Sequence, residues 1–249
     1  MAQETGSGEA VIQVDGLYKT FGNNRVLENF DLDLYRGESL VVLGKSGSGK
    51  SVLIKCIIGL IRPDQGSIRV LGEDVLSMNH LELDRIRMKV GFLFQSNALY
   101  DSMTVRENLE FPLRRHSVHL NQQEVNALVV EALQNVGLEH TIDMMPAELS
   151  GGMRKRIALA RTLILKPEIM LYDEPTTGLD AITGLEIINL MNTIGKKYQT
   201  SSIIITHDMK CVQLAAQRIA ILIDKKCYVT GTYEELKNSE DEKIRPFFQ

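Results

Sequence analysis

The sequence predicts an α/β fold: a core with a mainly parallel sheet, an antiparallel β subdomain and a helical subdomain. Three observations carry this. Strand-length apolar runs (SLVVLG, IMLY, SIIIT, RIAILI) alternate with helical patterns from 39 to 95 and again from 168 onward, the arrangement of a parallel sheet. Ahead of them VIQV and FDLDL alternate apolar with polar residues about a GNN break at 22–24, which predicts an antiparallel hairpin region over about 11–40. Between the two parallel stretches, about 96–166 is mostly helical.

The elements follow in order. Residues 1–10, MAQETGSGEA, are small and acidic and predict a flexible tail, without the charged-then-apolar layout of an export signal. Residues 11–95 and 167–231 form the core with its antiparallel β subdomain. SLVVLG is a buried strand, and VLIKCIIGL a helix. Residues 96–166 form the helical subdomain, in which NQQEVNALVVEALQNVGL has apolar residues at helical spacing and stops at Gly137. Residues 232–249 open with TYEE, a capping box at Thr232 and Glu235 that starts a short helix. They end in IRPFFQ, apolar enough to dock on another surface.

Composition narrows the function. With 249 residues, 44% hydrophobic and 24% charged, the chain is an ordinary globular protein with a substantial core. A net charge of -4 supplies no general basic field, which argues against sequence-independent binding of nucleic acid. Cys56, Cys211 and Cys227 form no CxxC and no metal-ligand spacing, and read as buried small hydrophobes in a reducing compartment. No apolar run is long enough to span a bilayer.

Two glycine-containing stretches are built for anions. The first, GKSGSGKS, joins the strand SLVVLG to the helix VLIKCIIGL. Gly44, Ser46, Gly47 and Gly49 let successive backbone N–H groups turn inward on phosphates. Lys50 would reach the β- and γ-phosphates, and the Ser51 hydroxyl would ligate Mg²⁺. The flanking strand and helix disfavour a chance glycine-rich turn. Downstream, the apolar strand of IMLYDEP ends in two acids, which puts carboxylates at the carboxyl edge of the sheet. Asp173 would hold the Mg²⁺ and Glu174 would act as general base toward water. The alternative for both is a solvated acid at a strand end.

The second stretch, LSGGM, has an N-cap in Ser150 and close-approach glycines in Gly151 and Gly152, but no lysine. It lies in the helical region, away from the first loop. Alone it would be an ordinary helix cap. Together with the first loop, its economical role is to complete a site begun by another copy. Two chains head to tail then share two equivalent ATP sites by two-fold symmetry.

With GKSGSGKS, LSGGM, LYDEPTTGLD and IIITHD in this order, the chain resembles the ATPase subunits of ABC transporters over essentially its whole length. The resemblance implies a P-loop ATPase core and further site residues. Phe21, in KTFG, matches the aromatic that stacks on adenine; its alternative is a place in the hairpin core. Gln95, after VGFLF, matches the glutamine that touches the metal and the attacking water. Asp180 matches the aspartate that crosses the dimer interface, a role compatible with capping a helix. His207 matches the histidine that contacts the γ-phosphate.

GMRKR after the signature, the tyrosine in LYDEP and the IRPFFQ tail look like the Mla and Mce class of lipid-transport ATPases. Ala181 departs from that class, which often has proline there. The tail of that class packs on the neighbouring ATPase. MRKR has the alternative of a basic, solvated helix face. The resemblance implies ATP and Mg²⁺, a homodimer, separate integral membrane permease subunits, and an MCE-type lipid-binding protein as partner. It implies a peripheral place on the cytoplasmic face of the inner membrane and phospholipid as cargo.

SNALYDSMTVRENLEF, with Leu99, Tyr100, Met103, Val105, Leu109 and Phe111, is the place for a groove that receives a permease helix, unless these residues are core. A soluble ABC-type ATPase acting on ribosomal, DNA or regulatory complexes is the competing class. Such chains usually carry two ATPase domains or a coiled-coil insertion, and this one has neither. Intact Glu174 and His207 speak against a regulator that does not turn over.

Overall fold

A computed structural model describes residues 8–116 and 120–249. Of the tail expected over 1–10, residues 1–7 lie outside the described residues, and Ala10 already opens the first strand.

Strands β1 (Ala10–Phe21) and β2 (Asn24–Tyr35) form the antiparallel hairpin, turning at Gly22 and Asn23. Four strands make up this sheet in the order β2-β1-β4-β5, where β4 is Gln65–Val70 and β5 is Glu73–Asp74. The sequence pattern assigns 39–95 to a parallel sheet, and β4 departs from it. It pairs antiparallel with β1, Val14 facing Ile68 and Ile12 facing Val70. Within its last residues, only Ile68 and Val70 are buried. Such a half-buried strand fits an antiparallel sheet, not a parallel one covered on both faces.

The second sheet holds β3 (Ser39–Leu43), β6 (Val90–Leu93), β7 (Ile169–Asp173), β8 (Ser201–Thr206), β9 (Arg218–Ile223) and β10 (Lys226–Gly231), in the order β10-β9-β3-β8-β7-β6. All neighbours are parallel except β9 and β10. Those two are joined through Asp224 and Lys225, both at positive φ. A two-residue connection can only reverse the chain, so the parallel pattern expected to the end of the core stops at β9.

Both faces of this sheet are covered. Leu40, Val42, Leu171, Ile203 and Ile205 point toward the antiparallel sheet and helix α1 (Lys50–Ile57). Val41, Leu43, Met170, Tyr172 and Ile204 point toward α5 (Gly151–Leu163), α6 (Ala181–Tyr198) and α7 (Met209–Ala215). That double coverage is why these strands read as unbroken apolar runs. The thiols of Cys56 and Cys211 are buried in the two clusters, and burial pushes them up to about 11 and about 12.

Helix α2 (His80–Lys89) precedes β6, and its Asn79–Glu82 capping box satisfies its first turn. A third cluster forms where α3 (Val105–His116) and α4 (Gln122–Val136) pack on α5, with Leu109, Leu133 and Ile157 fully buried. Gly137 ends α4 in a left-handed cap. Thr232 and Glu235 form the capping box of α8 (Tyr233–Lys237). Within its own chain, the tail packs on the second cluster. Ile244 is buried in the second cluster, Phe247 and Phe248 lie against it, and the Phe248 ring meets Tyr233 edge-on at 5.6 Å.

One ion pair ties the two sheets together. From β9, Arg218 donates to Glu38 through Nε (2.6 Å) and Nη2 (2.9 Å), and also to the Asp33 carbonyl of β2 (2.6 Å). Both side chains are largely buried. Arg218→Ala should lower stability by about 2–3 kcal/mol, because it leaves Glu38 unpaired beside a bare carbonyl. A urea titration with unchanged slope and a lower midpoint is the expected result.

Candidate functional site

The carboxyl ends of β3, β7 and β8 converge on one cavity of about 350 Å³. Its floor is the loop from Gly44 to Gly49, between β3 and α1. Gly49 sits at φ 109, where a Cβ would stand 2.9 Å from the Val26 carbonyl oxygen, so only glycine lets this turn close. Gly47 and Ser46 line the cavity, as does Phe21 at the end of β1, which is 46% exposed. Phe21 is therefore not buried in the hairpin core. Gly44 is buried beneath the loop, within reach of the Ser48 hydroxyl.

Lys50 is the buried charge of the site. Its Nζ donates to the carbonyls of Gly44 (2.8 Å) and Lys45 (3.1 Å) and lies 3.4 Å from Glu174 Oε1. The Ser51 hydroxyl donates to Asp173 Oδ1 at 2.9 Å. Burial raises the Asp173 carboxyl, and the bond from Ser51 partly offsets that. Glu174 follows β7 at φ 48, a strained turn for a side-chain-bearing residue, and its N–H bonds the Ile205 carbonyl of β8. Its Oε2 lies 2.9 Å from His207 Nδ1. His207 is mostly exposed and Glu174 largely buried, so the pair forms the wall between solvent and cavity. Gln95, just beyond β6, completes the lining.

This arrangement fits a nucleoside triphosphate and Mg²⁺. The Ser48 hydroxyl is buried in the loop without a hydrogen-bond partner, a polar atom suited to a phosphate oxygen. Lys50 is held only by groups that phosphate oxygens would replace. Ser51 and Asp173 place a hydroxyl and a carboxylate side by side, a ligand pair for a hard cation that takes its remaining oxygens from phosphate and water.

Ser150, Gly151 and Gly152 are not brought to this cavity. Ser150 caps α5, accepting from the Met153 N–H at 3.2 Å, and is exposed to solvent with the first turn behind it. Asp180 caps α6, accepting from the N–H groups of Ile182 and Thr183 and from the Thr183 hydroxyl. These bonds hold its carboxyl low.

MRKR is not a solvated face. Arg154 donates to the Leu149 carbonyl, Lys155 to the Gln95 carbonyl, and Arg156 pairs with Glu186 of α6. The groove segment divides. Val105 and Leu109 are core, while Tyr100 is 43% exposed and packs its ring at a tilt against Phe111, centroids 4.8 Å apart. The sequence reading missed Asn108, whose buried amide donates to the carbonyls of Tyr100, Met103 and Thr104 and thereby shapes that segment. An asparagine in a helical pattern gives no sign of this.

The protein-family model described as "ABC transporter" matches residues 27–177. The "Probable ribonucleotide transport ATP-binding protein mkl" of Mycobacterium leprae is 40% identical over 236 residues, 95% of this chain and 68% of the relative. The "Intermembrane phospholipid transport system ATP-binding protein MlaF" of Haemophilus influenzae is 35% identical over 239 residues, covering 96% of this chain and 90% of that one. Among solved structures, the dimeric post-hydrolysis state of the ATP-binding cassette MJ0796, bound to ADP and Pi, superposes with a TM-score of 0.81. It is 30% identical and covers 89% of this chain and 98% of that one.

Lys50→Ala should weaken binding of a fluorescent ATP analogue at least about tenfold.

Proposed function

Because the chain belongs to the ABC transporter family of ATPases, we propose that it is the ATP-hydrolysing subunit of a membrane transporter. It works as a head-to-tail homodimer that drives separate permease subunits. One observation carries the dimer: Ser150, at the glycine-bearing start of α5, is solvent-exposed, and that start lies outside the cavity of its own chain. It closes on the γ-phosphate held by a second copy. The cassette MJ0796, of similar fold, is dimeric with ADP and Pi.

The chemistry follows from the contacts. As ATP enters, Lys50 exchanges its carbonyl and carboxylate partners for β- and γ-phosphate oxygens. That frees Glu174 Oε1 to take a proton from the attacking water, while His207 holds Oε2. When bound, Mg²⁺ neutralises phosphate charge, and Ser51, Asp173 and Gln95 would hold it. Phe21 stacks on the adenine, and Asp180 meets the partner copy. Loss of the γ-phosphate removes the bridge between the copies, and the dimer opens.

Among the described residues no helix is long and apolar enough to cross a membrane, so the work passes to permease subunits from the cytoplasmic face. Tyr100 and its neighbours around Asn108 receive them. Phospholipid is the cargo this reading favours. The chain spans 90% of the MlaF relative, and Tyr172 and Met153–Arg156 carry the marks of that class. An MCE-type lipid-binding protein is then a further partner.

Glu174→Gln should accumulate an ATP-bound dimer on size exclusion, with phosphate release down about a hundredfold or more. Wild-type turnover would remove Glu174 from the base role. A tagged chain purified from native membranes in mild detergent should bring down a multi-span permease with a lipid-binding partner. A permease with an unrelated solute receptor would overturn the phospholipid assignment, and purely soluble ribosomal or regulatory partners the transporter itself.

A further inference from the structure

Helix α5 carries a lysine that has no business in a protein interior unless something there needs it. Lys155 is 2% exposed. Among the described residues its ammonium makes no ion pair, and its one hydrogen bond goes to the Gln95 carbonyl at 3.0 Å. Burial pushes it down to about 8, and the field of Asp173 offsets that only in part. An unpaired buried cation is costly, and a well-packed apolar side chain of similar volume would cost less.

Lys155 does not act alone. Six residues along the same helix, Arg161 donates to the carbonyls of Ala98 (2.9 Å) and Asn97 (3.2 Å), and its guanidinium lies over the Tyr100 ring at 5.6 Å. Residues 95–100 are thus gripped at both ends by cations from the helix that Ser150 caps. Neither grip touches the cavity. Gln95, whose carbonyl Lys155 holds, lines it.

We propose that Lys155 is a positioning residue for hydrolysis, fixing the Gln95 main chain to α5 so that the Gln95 amide is set in the cavity only while that helix is seated. The start of α5 and the loop that carries Gln95 then move as one piece. Engagement of Ser150 by a partner's nucleotide reports, through Lys155, on where Gln95 of the same chain stands. The proposal rests on the role given to Gln95 above.

Its test separates positioning from mere packing. A lysine that only supports the fold would cost stability when replaced. A positioning lysine whose burial is unfavourable should leave stability equal or higher in Lys155→Met, a substitution of similar length without the charge. In the full-length chain, Lys155→Met should keep its melting temperature, hold the KM for ATP within about twofold, and lose about tenfold in kcat. Lys155→Arg, which keeps a donor of sufficient reach, should recover most of that loss. If Lys155→Met fails to fold, Lys155→Gln, neutral and one atom shorter, should show the same split. Wild-type kcat in any folded variant lacking the cation, beside a slow Gln95→Ala, overturns the Lys155 proposal alone. Wild-type kcat in Gln95→Ala overturns the role of Gln95 and the proposal with it.

Discussion

One buried ammonium organises the cavity. Lys50 is 5% exposed, so its charge must be met by protein until a ligand meets it. Two carbonyls of its own loop and the Glu174 carboxylate do so. That requirement fixes how far the loop after β3 may stand from the turn after β7. It also explains why Glu174 tolerates a positive φ: the turn aims its carboxylate back over Lys50 while its N–H stays bonded to β8. The neighbouring Ser51–Asp173 bond lies across the same seam.

The sheet beneath makes such convergence possible. Five parallel strands covered on both faces can carry polar groups only at their ends, and the carboxyl ends of β3, β7 and β8 deliver the loop, the two acids and the histidine to one edge. The helical unit supplies what that edge lacks. Its helix α5 begins in an exposed anion-suited turn and runs inward to hold the segment after β6. A nucleotide held by a second copy would therefore touch the start of the same helix whose Lys155 holds Gln95 beside the chain's own cavity.

Much of this was legible in the residues. GKSGSGKS between a strand and a helix, acids closing IMLYDEP and a histidine closing IIITHD each follow from a backbone that must turn at a sheet edge. Other features were not. SIRV was too short to show whether it was half or fully covered, so β4 was assigned to the wrong sheet. The β9–β10 reversal depended on Asp224 and Lys225 adopting positive φ, which neither residue type announces. Lys155 sat in a basic run, and a long aliphatic stem allows a lysine to be buried or solvated from the same sequence. The IRPFFQ tail was plainly apolar, but hydrophobicity names no partner; its rings lie half-buried against their own chain.

The split between the cavity and the start of α5 has a consequence for dosage. If each site borrows half its contacts from another copy, a defective copy is not silent. Mixed with an equal amount of sound protein, it would enter about three in four of the pairs formed at random. Lesions in the Ser150–Gly152 turn and lesions in the Lys50 loop would then behave unlike in company. Each would spoil a different half of a shared site, and two such cripples placed together would leave one site of the pair whole.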